Sequence, residues 1–158
     1  MRVVAISGSL KQTSANSALL QALAEVAPEP IVRWDRLGEL PHFVPDDDGG
    51  PAVASLRDAV TAADAVLVAT PEYAGGMPGS LKNALDWLVG TGELYGKPVA
   101  VLSAAPSAER GSNARAWVEQ VVTMQGGRVV TSFSVAPGDD PAAVLDRVRR
   151  ALDADALR

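Results

Sequence analysis

Hydrophobic positions along the chain alternate between two kinds of run. Short stretches rich in apolar and β-branched residues stand at 2–6, 31–34, 65–69, 98–102 and 129–135. Their length and composition predict strands, and the continuous apolar character of 2–6 and 65–69 predicts burial on both faces of a sheet. Between them, apolar residues recur at spacings of three and four, which predicts helices. Leu19, Leu20, Leu23 and Val26 mark the first, from Ser14 or Asn16 to about Ala27, ended by Pro28 and Pro30. Val53, Leu56 and Val60 mark a second over 51–63. Leu81, Ala84, Leu85 and Leu88 mark a third, stopped by Gly90 and Gly92. Trp117, Val121 and Met124 mark a fourth over 112–124, and Val144, Leu145, Val148 and Leu152 a fifth over 141–154. Strands alternating with helices imply a parallel sheet between two helical layers, joined by right-handed crossovers.

Composition narrows the setting. A length of 158 residues is expected to form a single domain, 1–158, with a substantial core. The absence of cysteine removes disulfides, thiolate metal sites and thiol nucleophiles. No run approaches the roughly 18 apolar residues of a membrane span, and Met1-Arg2 leads into an apolar run too short for a secretory leader, so a cytoplasmic protein is expected. A net charge of −5, with both signs interspersed, argues against a nucleic-acid partner.

Residues able to do chemistry collect in the loops after strands one, three and four. After the first come Ser7-Gly8-Ser9-Leu10-Lys11-Gln12-Thr13-Ser14-Ala15-Asn16. Hydroxyls, a lysine and backbone N–H groups meet there at a helix N-terminus, where the macrodipole favours an anion. The same residues also suit an ordinary N-cap, and at this point both readings stand. Neither G-x-x-x-x-G-K-[ST] nor G-x-G-x-x-G follows the strand, so the loop is neither a nucleotide P-loop nor a dinucleotide fingerprint. After the third strand, Pro71 to Gly79 holds two prolines and three glycines around Glu72 and Tyr73. Its glycines let a flat ligand approach the backbone, and its N–H groups can face carbonyl or ring-nitrogen acceptors. A tight connection shaped by Gly and Pro is the plainer alternative. In a doubly wound sheet of order 2-1-3-4-5 these two loops border one crevice at the switch point, and a flat, phosphorylated ligand fits the pair.

The remaining signals read as structural. His42, the sole histidine, reads as a solvated or packing residue. Asp46-Asp47-Asp48 reads as a solvated turn, because Gly49-Gly50 and the missing distal Glu do not match a calcium loop, and no metal is expected. The long irregular stretch 35–45 is of the kind that is functional or covers something.

Gly8-Ser9-Leu10-Lys11 with Ser14 and Asn16, Pro71-Glu72-Tyr73 with Pro78-Gly79, Leu81-Lys82-Asn83-Ala84-Leu85-Asp86-Trp87, and Gly96-Lys97-Pro98-Val99-Ala100 together resemble the NADPH-dependent FMN reductase family, which includes quinone, chromate and azo-dye reductases. The resemblance implies a flavodoxin-like α/β three-layer sandwich with a five-stranded parallel sheet of order 2-1-3-4-5. It implies that Ser9, Lys11, Ser14 and Asn16 bind the FMN phosphate end, that Pro71, Glu72, Tyr73, Ala74 and Gly75 meet the isoalloxazine, and that Ser103 lies in a third flavin loop. Position 74 is usually Asn in the family and is Ala here, Lys11 replaces a more usual Arg, and 104–109 replaces a glycine-rich stretch.

The implied activity is hydride transfer from NADPH or NADH through FMN to a quinone, flavin or similar small acceptor. The cofactor carries the chemistry, so no catalytic side chain is expected. An FMN-binding electron carrier and a regulatory protein that has lost flavin are the alternatives. Related reductases pair through the helix after the central loop. Leu81, Leu85, Leu88 and Trp87 give that helix more apolar surface than one face needs, so a homodimer or homotetramer is expected.

Overall fold

A computed structural model describes residues 1–11 and 13–157; Gln12 and Arg158, the former within the first polar loop, lie outside the described residues. Five strands, β1 (Val3–Ser7), β2 (Ile31–Trp34), β3 (Ala65–Ala69), β4 (Pro98–Ala104) and β5 (Arg128–Val135), form one sheet in the order β2-β1-β3-β4-β5. All four pairings are parallel. This is the flavodoxin-like order, with its reversal between β1 and β3. Five helices connect or follow the strands: α1 (Ala15–Val26), α2 (Gly50–Ala62), α3 (Gly79–Asp86), α4 (Ser112–Met124) and α5 (Pro141–Ala156).

The alternation of side chains along each strand builds the layers. Val4, Ile6, Val66, Val68, Val99 and Val101 face α2, α3 and α4. Val3, Ala5, Leu67, Ala100 and Leu102 face α1 and α5. Strands β1 and β3 are buried throughout, as their unbroken apolar sequence requires. Strand β4 runs two residues further than its apolar core, carrying Ser103 and Ala104 to the sheet's carboxyl edge.

Two sequence expectations are corrected. Helix α4 leaves Trp117 and Met124 outside the core, and Val121 packs against it only partly buried. Its inward face is Ala114, Arg115, Val118 and Val122, while Trp117 is 53% and Met124 81% exposed. Two spacings of three and four run along the same helix, and the larger residues occupy the outer one. Conversely, α3 has no apolar surplus. Leu81, Leu85, Leu88 and Trp87 are all buried, so the argument for assembly from this helix fails. Residues 41–43 explain why. The Pro41 carbonyl accepts Trp87 Nε1 and Asn83 Nδ2, both at 2.9 Å, and Phe43 meets the Trp87 ring edge-on at 5.1 Å. The irregular stretch is a cover over Trp87. His42 within it is exposed, and Asp47 and Asp48 accept the N–H groups of Gly49 and Gly50 as the chain enters α2.

Candidate functional site

Three loops meet at the carboxyl edge of the sheet, and specific hydrogen bonds tie them into one unit. The first leaves β1 at Gly8, whose N–H donates to Ala69 O at 2.8 Å. A Cβ on Gly8 would lie 2.9 Å from Leu81 Cδ2 and 3.3 Å from Thr70 Oγ1, so the first loop passes close against α3 and the end of β3. Ser7 Oγ accepts the Ser17 hydroxyl at 2.8 Å and the Ser9 N–H at 3.3 Å, and Ser9 Oγ accepts the Lys11 N–H at 3.2 Å. Ser14 is the N-cap of α1, accepting the Ser17 N–H. Lys11 stands exposed on the rim. A cavity of about 400 Å³ opens here between Ser7, Ser9, Lys11 and Ser17 on one side and the segment 33–39 on the other.

Asn16 reaches across from α1 to the third loop: it is 4% exposed, and its Oδ1 accepts the Ala104 N–H at 2.9 Å. The acceptor of this side chain is therefore committed to the protein, and its amide NH₂ is the part left for a ligand.

The second loop folds as a two-residue hairpin. Tyr73 and Gly76 exchange both backbone hydrogen bonds, at 2.9 and 3.1 Å, with Ala74 at φ 50° and Gly75 at φ 76° between them. Two successive positive φ values define a type I′ turn, whose preferred first residue is Asn and second is Gly. The N–H groups of Ala74 and Gly75 donate to no acceptor among the described residues. Tyr73 is half exposed beside them. The carboxylate of Glu72 points away from the hairpin and accepts the N–H groups of Asn113 and Ala114 at the start of α4.

The third loop, 104–111, is anchored from beneath. Ser103 is 1% exposed, and its hydroxyl sits among Arg115 Nη1, Ser134 Oγ and Gly111. A Cβ on Gly111 would lie 2.7 Å from that hydroxyl, and Gly111 has φ 82°. Among the described residues there is no group of three or more His, Cys, Asp or Glu able to hold a metal ion, and no helix long and apolar enough to cross a membrane.

The NADPH-dependent FMN reductase family model matches residues 1–141. The chain belongs to that family. It is 37% identical to an NAD(P)H-dependent FMN reductase of Pseudomonas aeruginosa over 98% of this chain and 82% of the relative. It is 30% identical to a quinone reductase of Escherichia coli, over 82% and 73% of the two chains. Among solved structures, a flavoenzyme NAD(P)H:(acceptor) oxidoreductase of Paracoccus denitrificans superposes with a TM-score of 0.77 at 27% identity, covering 96% of this chain and 95% of the other.

Set beside the family pattern, the ten predicted positions fall into two groups here. Ser9, Lys11, Pro71, Tyr73, Ala74 and Gly75 are at least partly accessible. Ser14 is engaged in capping α1, and Asn16, Glu72 and Ser103 have side chains bonded to segments distant in sequence. Sequence reasoning passed over Arg115. An arginine at a core-facing position of α4, three residues before Val118 and seven before Val122, is the signal that marks it.

Proposed function

We propose that this chain is a cytoplasmic FMN-dependent NAD(P)H oxidoreductase that reduces a quinone, a flavin or a similar small acceptor, with residues 1–158 acting as one FMN-binding domain. One observation carries the reading. In a member of this family, an anion-suited helix N-terminus and a hairpin with unpaired N–H groups follow the adjacent strands β1 and β3, where the strand order reverses.

The donor set suits the cofactor. Ser9, Lys11, Ser14 and the amide of Asn16 would hold the phosphate, aided by the N-terminus of α1. Pro71, Glu72, Tyr73, Ala74 and Gly75 would border the isoalloxazine, mainly through backbone because the Glu72 carboxylate caps α4. Ser103 would act through the shape of its loop, its hydroxyl being engaged with Arg115. Bound FMN supplies the acceptance and return of hydride. The chain's own work is to hold the ring flat, leave one face open, and turn backbone donors toward the edge where negative charge develops.

Two copies would pair through the outer face of α4. Trp117, Met124 and Val89 are exposed there around a cavity of about 470 Å³, and the Lys82–Asp86 ion pair on its rim offers both signs to a two-fold partner.

The test is an absorption titration of the chain with FMN, followed by anaerobic NADPH and then a quinone. Flavin bleaching by NADPH and its recovery with quinone are expected. FMN that binds but is not reduced would leave an electron carrier, and no binding would leave a lost-cofactor protein. Lys11→Ala is expected to weaken FMN by about tenfold or more, since a charge-assisted hydrogen bond contributes about 1.5–3 kcal/mol. Riboflavin, which lacks the phosphate, is expected to bind parent and variant alike.

A further inference from the structure

Arg115 is the only charged side chain that is buried among the described residues, at 8% exposure. Burying a cation is costly unless its donors are met. Here Nη1 and Nη2 find partners on β4, on β5 and in the third loop. Nη1 donates to the hydroxyls of Ser103 and Ser134, the latter at 2.6 Å, and Nη2 donates to Ala108 O at 3.2 Å. Ser134 Oγ in turn donates to Arg110 O at 3.1 Å. None of these partners is a carboxylate. Burial pushes the guanidinium pKa down, and the charges of Glu119 and Glu72 oppose that shift from further off.

The consequence lies on the other side of the same peptides. In a trans peptide the carbonyl of one residue and the N–H of the next point in opposite directions. With the carbonyls of Ala108 and Arg110 turned inward, the N–H groups of Glu109 and Gly111 turn away from the core. The Glu109 N–H meets its own carboxylate there, which together with the Ser107 hydroxyl holds that carboxyl below its usual range. A glycine-rich loop reaches such a geometry through backbone freedom. This loop, Ala104-Ala105-Pro106-Ser107-Ala108-Glu109, has an internal clamp instead.

We propose that Arg115 is the positioning residue of the third loop: it fixes the backbone of segment 104–111, with the Gly111 N–H outward, and its charge behind that loop makes bound FMN easier to reduce. The first half concerns the chain alone; the second rests on the FMN reading above.

The experiment compares the parent with Arg115→Lys, Arg115→Met and Ser134→Ala by three measurements. These are amide hydrogen exchange without flavin at the two ends of the loop, Ala105 and Ser112, whose N–H groups donate to Val135 O and Glu109 O, FMN affinity, and the reduction potential of bound FMN in equilibrium with a reference dye. In both arginine variants loop exchange is expected to speed at least tenfold, and FMN to bind at least tenfold more weakly. The potential is expected to fall only in Arg115→Met, because lysine retains the charge without the planar fork. Ser134→Ala is expected to speed loop exchange and leave the potential at the parent value. In Arg115→Met, loop exchange at the parent rate would overturn the positioning role, and a potential at the parent value would overturn the effect of the charge. If Arg115→Met does not fold, parent-like loop exchange in Arg115→Lys and Ser134→Ala overturns it instead. A parent that binds no FMN defeats the functional reading separately, and loop exchange then decides the positioning role alone.

Discussion

The carboxylate of Glu72 accepts the N–H of Ala114 at 3.2 Å, 42 residues away in sequence, and that of Asn113 at 3.1 Å. Gly111 is the N-cap of α4, and its φ of 82° suits the entry, but it has no side chain to cap the helix. Glu72 supplies that cap from the second loop, where its charge also meets the positive end of the helix dipole. The hairpin beside the crevice and the helix beneath the third loop are therefore held at a fixed separation.

Glu72→Ala is expected to destabilise the protein by about 1 kcal/mol, the typical cost of losing a helix cap, with Glu72→Gln losing less. Urea unfolding of the flavin-free protein measures this. A midpoint equal to the parent's would show that the cap contributes nothing and that Glu72 is free to serve the ligand.

Ala74 stands at φ 50° in a turn that favours Asn-Gly. The family's usual Asn is accounted for by the backbone before any flavin contact is invoked, because a left-handed conformation costs most L-residues about 1–2 kcal/mol and Asn less. Ala74→Asn is expected to raise the urea midpoint of the flavin-free protein, a gain of about 1 kcal/mol or less, and to tighten FMN by no more than roughly tenfold. Tighter FMN with an unchanged midpoint would assign the effect to a side-chain contact instead.

Trp87 lies 1% exposed beneath Pro41 and Phe43, against the expectation that it helps two chains pair. Trp87→Ala is expected to cost about 3–5 kcal/mol, the range for emptying a large core position. Trp87→Phe is expected to cost less but to leave the Pro41 carbonyl with Asn83 alone. Calorimetric unfolding separates the two variants, and a loss below about 1 kcal/mol for the alanine variant would mean that the 41–43 cover collapses freely onto the gap.

How far the sequence carries the fold depends on whether one pattern is present or two. Val3 to Ile6 and Ala65 to Ala69 are apolar without a break, so burial on both faces follows directly, and the strand order comes with the family resemblance. Helix α4 contains two acceptable apolar stripes. Only contact with Val99 and Val101 selects the smaller one, Ala114, Val118 and Val122. Trp87 shows the same limit from the other side, since its burial depends on a carbonyl 46 residues away. At the site, the loops and their residue types were legible, because Ser, Gly and Pro at strand ends carry a local meaning. The division of labour among them was not. That Asn16 ties α1 to Ala104, or that Glu72 caps α4, depends on contacts between segments distant along the chain.

The outer face of α4 gives the last expectation. Trp117 lies against the second loop, its ring 3.3 Å from where a Cβ on Gly76 would stand, yet it is half exposed, and Met124 two turns along is almost fully so. Trp is among the residues that dominate interface energetics when a partner covers them. A single exposed substitution typically changes monomer stability by no more than about 0.5 kcal/mol. Trp117→Ser combined with Met124→Ser should therefore leave the fold intact while removing the apolar centre of a two-fold contact. The parent is expected to sediment as a dimer or tetramer at micromolar concentration and the double variant as a monomer with an unchanged far-ultraviolet spectrum. A parent that sediments as a monomer, with and without FMN, would leave this face unpaired and would return Trp117 to the single role of packing on the Gly76 backbone.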